Sequence, residues 1–122
     1  MFSLNGTMRY YVYPRMADMR KGMHTLCGLV HGDTGREILQ GDVYVFVGGG
    51  GRTMKIIHAD DGGLVMYVKR LEAGRFRMPD TGDEAGWHEM EWRDLVLMVE
   101  GITEDPARRL RRLRAERKTY TI

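Results

Sequence analysis

The chain has 122 residues, of which 43% are hydrophobic and 30% charged, and a formal net charge of +2. This composition fits one globular domain with a modest core that needs no covalent staple. The single cysteine, Cys27, excludes an internal disulfide, and no apolar run is long enough to cross a bilayer. The start "MFSLNGTMRYYVY" lacks the cationic-then-apolar pattern of a signal peptide, so a cytoplasmic protein is expected.

"MRYYVY" (8–13) is rich in aromatic and β-branched residues and reads as a first strand stopped by Pro14. Asp18 suits the N-cap of a helix from Met19 to about Val30. Met19, Met23, Leu26, Cys27 and Val30 fall on one face of it. "HGDTGREILQGD" (31–42) reads as a connection. Three β-rich runs follow, "VYVFV" (43–47), "TMKIIHA" (53–59) and "LVMYVKR" (64–70), joined by "GGGGR" and "DDGG". Short glycine-rich joints between such runs predict an antiparallel meander. "RFRM" (75–78) is a candidate short strand, and "DTGDEAGWHEME" (80–91) an acidic loop or irregular edge around Trp87. Leu95, Met98, Val99 and Ile102 repeat at helical spacing, with Gly101 as a stop signal. Asp105 and Pro106 then open a last helix whose apolar anchors are Leu110 and Leu113. The expected fold class is α+β. A small antiparallel meander carries an N-terminal strand and helix packed on it, with two C-terminal helices. Residues 1–104 form one domain and residues 105–122 a basic C-terminal helix or tail.

Charge is unevenly distributed. "PARRLRRLRAERK" (106–118) holds seven Arg and Lys against one Glu, so it carries +6 and leaves −4 for the rest of the chain. A basic segment on a mildly acidic body suits a nucleic-acid partner, because each arginine can neutralise a phosphate with paired donors. A solvated tail is the ordinary alternative.

The glycines of "FVGGGGRTMKIIH" (46–58) raise the question of a phosphate-binding loop. Such loops lead into a helix whose N-terminal amides hold the anion. Here an alternating, strand-like run follows, so Gly48–Gly51 read as a hairpin turn, with Arg52 and Lys55 at its base. The histidines His24, His31, His58 and His88 contain no i, i+4 pair, and Cys27 has no close partner cysteine. No metal site or cofactor is therefore expected. Ser3 is the only serine and lies in no nucleophile elbow, while Cys27 sits on the apolar helix stripe. Asp60, Asp61, Asp80, Asp83 and Glu84 cluster in turns, where solvated charge explains them better than a two-metal nuclease does. The chain does not read as an enzyme.

Several stretches together carry a family resemblance: "YYVYPRMADMRKGMHTLCGLV" (10–30), "GDVYVFV" (41–47), "KIIHADDGGLVMYVKRLEAGRF" (55–76) and "MEWRDLVLMVEGI" (90–102). In this order they resemble the small accessory protein of insertion sequence 66 elements, the product of the element's second reading frame. That protein is distinct from the RNA-guided nuclease sharing its TnpB label. The matching positions are Asp18, Met19, Arg20, Lys21, Gly22, Phe46, Lys55, Asp60, Gly63, Lys69, Arg70, Leu71, Glu72, Glu100 and Gly101. The chain departs from the pattern at Gly48–Gly51, where relatives are more polar or basic, and at Ala59, where they commonly carry Trp.

The resemblance implies a non-catalytic role in transposition beside a separate, larger transposase. Charge and resemblance together select Arg20, Lys21, Arg52, Lys55, Lys69, Arg70, Arg108, Arg109, Arg111, Arg112 and Arg114 as candidate DNA contacts, at element ends or within the transposase complex. The alternative is a protein–protein adaptor that holds the transposase through surfaces near Trp87–Trp92 without touching DNA.

Overall fold

A computed structural model describes residues 4–78 and 86–100. In chain order the elements are β1 (Tyr10–Val12), α1 (Met23–Thr34), a 3-10 turn (Ile38–Gln40), β2 (Val43–Gly48), β3 (Thr53–Asp60), β4 (Gly63–Arg70), β5 (His88–Met90) and α2 (Trp92–Glu100). The strands form one five-stranded sheet in the order β4-β3-β2-β1-β5. The fold class is α+β, as the alternation and turn chemistry predict.

The meander β2-β3-β4 is antiparallel throughout, pairing Tyr44 with Ile57 and Ile57 with Met66. β1 instead pairs with β2 in parallel and with β5 antiparallel, so the sheet is mixed. Parallel neighbours need a crossover of a dozen or more residues, and α1 supplies it. "VYVFVG" of β2 is buried on both faces because the sheet is covered twice. On one face, Leu26 and Val30 of α1 pack with Tyr11, Tyr13, Tyr44, Phe46 and Ile57. On the other, Leu95 and Met98 of α2 pack with Tyr10, Val12, Val43, Val45, Val47, Met54 and Ile56. Full burial of each such side chain contributes about 1.5–3 kcal/mol, so both helices are held by the sheet more than by intrinsic propensity.

Four features differ from expectation: both ends of α1, the strand in the acidic segment and residues 75–78. α1 starts at Met23, one turn later than predicted, with Gly22 at the N-cap and no side-chain cap. Asp18 spends its carboxylate on the Arg20 backbone N–H at 3.0 Å and on the Arg20 guanidinium at 3.0 and 2.9 Å. The carbonyls of Met19 and Lys21, which a longer helix needs for its own amides, accept from Lys55 instead. At its far end α1 runs to Thr34 and stops at Gly35, whose φ of 70° places it in the left-handed region. In the acidic segment, His88–Met90 form β5 against β1, whereas residues 75–78 are not a strand. α2 begins as predicted by its spacing, and the Asp94 carboxylate accepts the Glu91 N–H at 3.1 Å, half of a capping box. The expected last helix, beginning at Asp105 and Pro106, lies outside the described residues.

Candidate nucleic-acid interface

The β2–β3 turn is three glycines, Gly49–Gly51, followed by Arg52. Gly49, Gly50 and Gly51 have φ of 60°, 73° and 88°, a run that residues with a Cβ resist. Gly48 serves a different purpose: it bridges Ala17 in parallel, and a Cβ there would overlap the Ala17 carbonyl oxygen. Close approach of two backbones thus explains one glycine, and left-handed conformation the other three. The turn is no bare tip. Phe76 donates its N–H to the Gly51 carbonyl at 2.7 Å, and Leu71 donates to Arg52 at 2.8 Å, so residues 71–76 fold back over it. Leu71 and Phe76 are buried there.

Topology gathers cations at this end of the sheet. β1 and β2 run parallel and β4 ends at Arg70 opposite Thr53, so the segment after β1, the glycine turn and the end of β4 are neighbours. Arg20, Arg52, Lys69 and Arg70 are exposed there and Lys21 half-exposed. Arg75 and Arg77 join them, with Arg75 packed over Gly51. These two are not among the sequence-based candidates, although the alternation Arg-Phe-Arg around buried Phe76 is a readable sign of outward charge. The opposite end, at the β3–β4 turn, carries exposed Asp60 and Asp61.

Two candidates differ in kind from the rest. Lys55 is 9% exposed. Its ammonium donates to the carbonyls of Met19 at 2.8 Å and Lys21 at 2.9 Å, tying β3 to the bend before α1. It positions its neighbours and does not belong to the exposed cationic surface. A lysine within the apolar run of a central strand was the available signal. Arg20 is 92% exposed but already holds Asp18, whose carboxyl is lowered to about 2 by hydrogen bonds from the Arg20 side chain and backbone. Arg108, Arg109, Arg111, Arg112 and Arg114 lie outside the described residues.

Elsewhere the chemistry-bearing side chains are structural. Trp87 packs its ring against Tyr13, Tyr44 and Phe46 with centroids 5.1–5.7 Å away, and its Nε1 donates to Asp33 at 3.2 Å. Trp92 lies 5.7 Å from Tyr10. His58 is fully buried and stacked on Tyr67. Burial pushes the Cys27 thiol up, away from nucleophile character. Among the described residues no group of three His, Cys, Asp or Glu could hold a metal, and no helix is long and apolar enough to cross a membrane.

The mixed sheet, with a helix on each face and exposed cations gathered at one end, defines a small α+β protein. By its sequence the chain belongs to the IS66 Orf2-like family, whose model matches residues 8–109. Membership carries an accessory role in transposition of these insertion sequences. Two uncharacterised proteins of Sinorhizobium fredii, y4hO and y4jC, are each 30% identical over 95 residues, which is 78% of this chain and 81% and 80% of theirs. No solved structure matches the chain.

Proposed function

We infer that this protein is a non-catalytic transposition accessory factor that binds DNA through the cationic end of its sheet. The observation carrying the reading is the convergence of Arg20, Lys21, Arg52, Lys69 and Arg70 at the glycine-turn end, where they outnumber the exposed acids Asp18 and Glu72. A cluster of exposed cations of this kind orients a protein on a polyanion and speeds its encounter. Arg108, Arg109, Arg111, Arg112 and Arg114 in the basic segment 105–122 add further phosphate contacts. Affinity of this origin is salt-dependent and tolerant of sequence. The element-encoded transposase is the protein partner, and the cytoplasm is the compartment where both meet DNA.

Gel-shift titration with element ends and with random duplex, at several salt concentrations, tests the reading. Binding that weakens steeply with salt supports it; no binding at low salt refutes it. The adaptor alternative draws on Leu97, 58% exposed on α2. Co-purification with the transposase that survives nuclease treatment and is lost in Leu97→Asp would favour that reading.

A further inference from the structure

The outer edge of β4 is unpaired among the described residues. The Leu71 N–H donates to Arg52 across the ladder, so the odd-numbered residues of β4 turn their backbone groups toward β3. Leu64, Met66, Val68 and Arg70 therefore direct theirs away from the sheet. β4 lies at the end of the strand order, and among the described residues nothing pairs with that side. Natural edges are commonly blunted by proline, a bulge, a charge within the strand or very short length. β4 has eight residues, and Leu64–Val68 contain no charge and no proline. Val68 is 55% exposed, on the same face as half-buried Leu64 and Met66.

We propose that the occupant of this edge is a second copy of the chain, paired antiparallel through β4 about a two-fold axis at Met66. Charge selects a copy of the same chain in that orientation. The strand is acidic at its entry, Asp60 and Asp61, and basic at its exit, Lys69 and Arg70. Antiparallel self-pairing sets Lys69 and Arg70 near the partner's Asp61, with Asp60 facing Glu72 beyond the strand, whereas a parallel pair would oppose Lys69 and Arg70 with their own counterparts. The two-fold preserves faces, so Met66 meets its counterpart and Leu64 meets Val68, all with outward backbone groups. Val65 meets Tyr67 on the other face. The result is a continuous ten-stranded sheet in which Lys69 and Arg70 enter the joint, while Arg20, Lys21 and Arg52 of each copy stay clear of it for the proposed DNA contact.

Sedimentation equilibrium of the full chain without DNA tests this independently of any DNA-binding role. The wild type should approach twice the 14.1 kDa of one chain as concentration rises. Val68→Pro removes an outward donor and obstructs the edge, and should stay at the single-chain mass with an unchanged circular dichroism spectrum. A complementary pair covers the case in which the proline variant does not fold. Asp60→Lys with Asp61→Asn should associate at least tenfold more weakly than wild type, as should Lys69→Glu with Arg70→Glu. An equimolar mixture of the two should recover the doubled mass. A wild type that remains at single-chain mass at every concentration overturns the proposal, as does a folded Val68→Pro that associates normally or a mixture that gains nothing.

Discussion

The Lys55 ammonium lies 2.8 Å from the Met19 carbonyl and 2.9 Å from that of Lys21, joining β3 to the bend that precedes α1. A buried cation between two carbonyls is a charge-assisted contact whose removal strands both acceptors. Lys55→Met should therefore destabilise the fold by about 2 kcal/mol in urea titration. Exposed Arg52→Ala should stay within about 0.5 kcal/mol of wild type. Equal effects would remove the distinction drawn between these two residues.

Gly48 and Gly50 separate the two uses of glycine in one turn. Gly48→Ala forces a Cβ into the Ala17 carbonyl and against Met19 Cγ at 2.9 Å. Gly50 meets nothing within 4 Å and has a φ of 73°, so alanine there adds only backbone strain. Thermal or urea unfolding should give a loss of about 3 kcal/mol for Gly48→Ala and about 1 kcal/mol for Gly50→Ala. The reverse order would contradict the close approach of the two backbones.

The meander was legible because alternating apolar runs were punctuated by glycine, and its strand limits follow those runs closely. The late start of α1 was not, since the carbonyls of Met19 and Lys21 are taken by a lysine 34–36 residues further on. Asp18 looks like an N-cap in sequence because its local chemistry is the same; it closes a turn on Arg20 instead. β5 was hidden because three residues within a polar segment carry little periodicity, and β1 supplies the pairing that defines them. Arg52, Lys69 and Arg70 could be chosen by charge alone, but their gathering at one end with Arg75 and Arg77 depends on strand order.

The Asp18–Arg20 pair sets an acid-limb prediction. The Asp18 carboxyl is lowered from its ordinary 3.8 to about 2 by the Arg20 hydrogen bonds. A depressed folded value means that its contribution is complete above about pH 4 and is lost as pH falls from 3.8 toward 2. Carboxyl chemical shifts should place the Asp18 midpoint near the lower value in wild type and near the ordinary one in Arg20→Ala. An ordinary midpoint in wild type would show that the pair does not persist in solution.

Tyr44 is fully buried, and its hydroxyl makes no well-formed hydrogen bond among the described residues, the Arg36 guanidinium being the nearby donor that partly offsets its burial. Burial, followed by the nearby Asp42 carboxylate, raises its pKa. Removing an unsatisfied buried hydroxyl relieves a desolvation cost, so Tyr44→Phe should be neutral or stabilising by about 1 kcal/mol in urea titration. A loss above about 1 kcal/mol would reveal a partner for the hydroxyl in solution.

The role assigned to the cationic end is decided by the salt dependence of duplex binding in wild type and Arg52→Ala. Arg52 lies outside the β4 joint, so its effect is separate from self-association. The logarithm of the wild-type affinity should fall linearly with the logarithm of salt concentration, and Arg52→Ala should lower that slope by about one with both duplexes alike. An unchanged slope in Arg52→Ala, or no binding by wild type at low salt, would contradict the DNA-binding account.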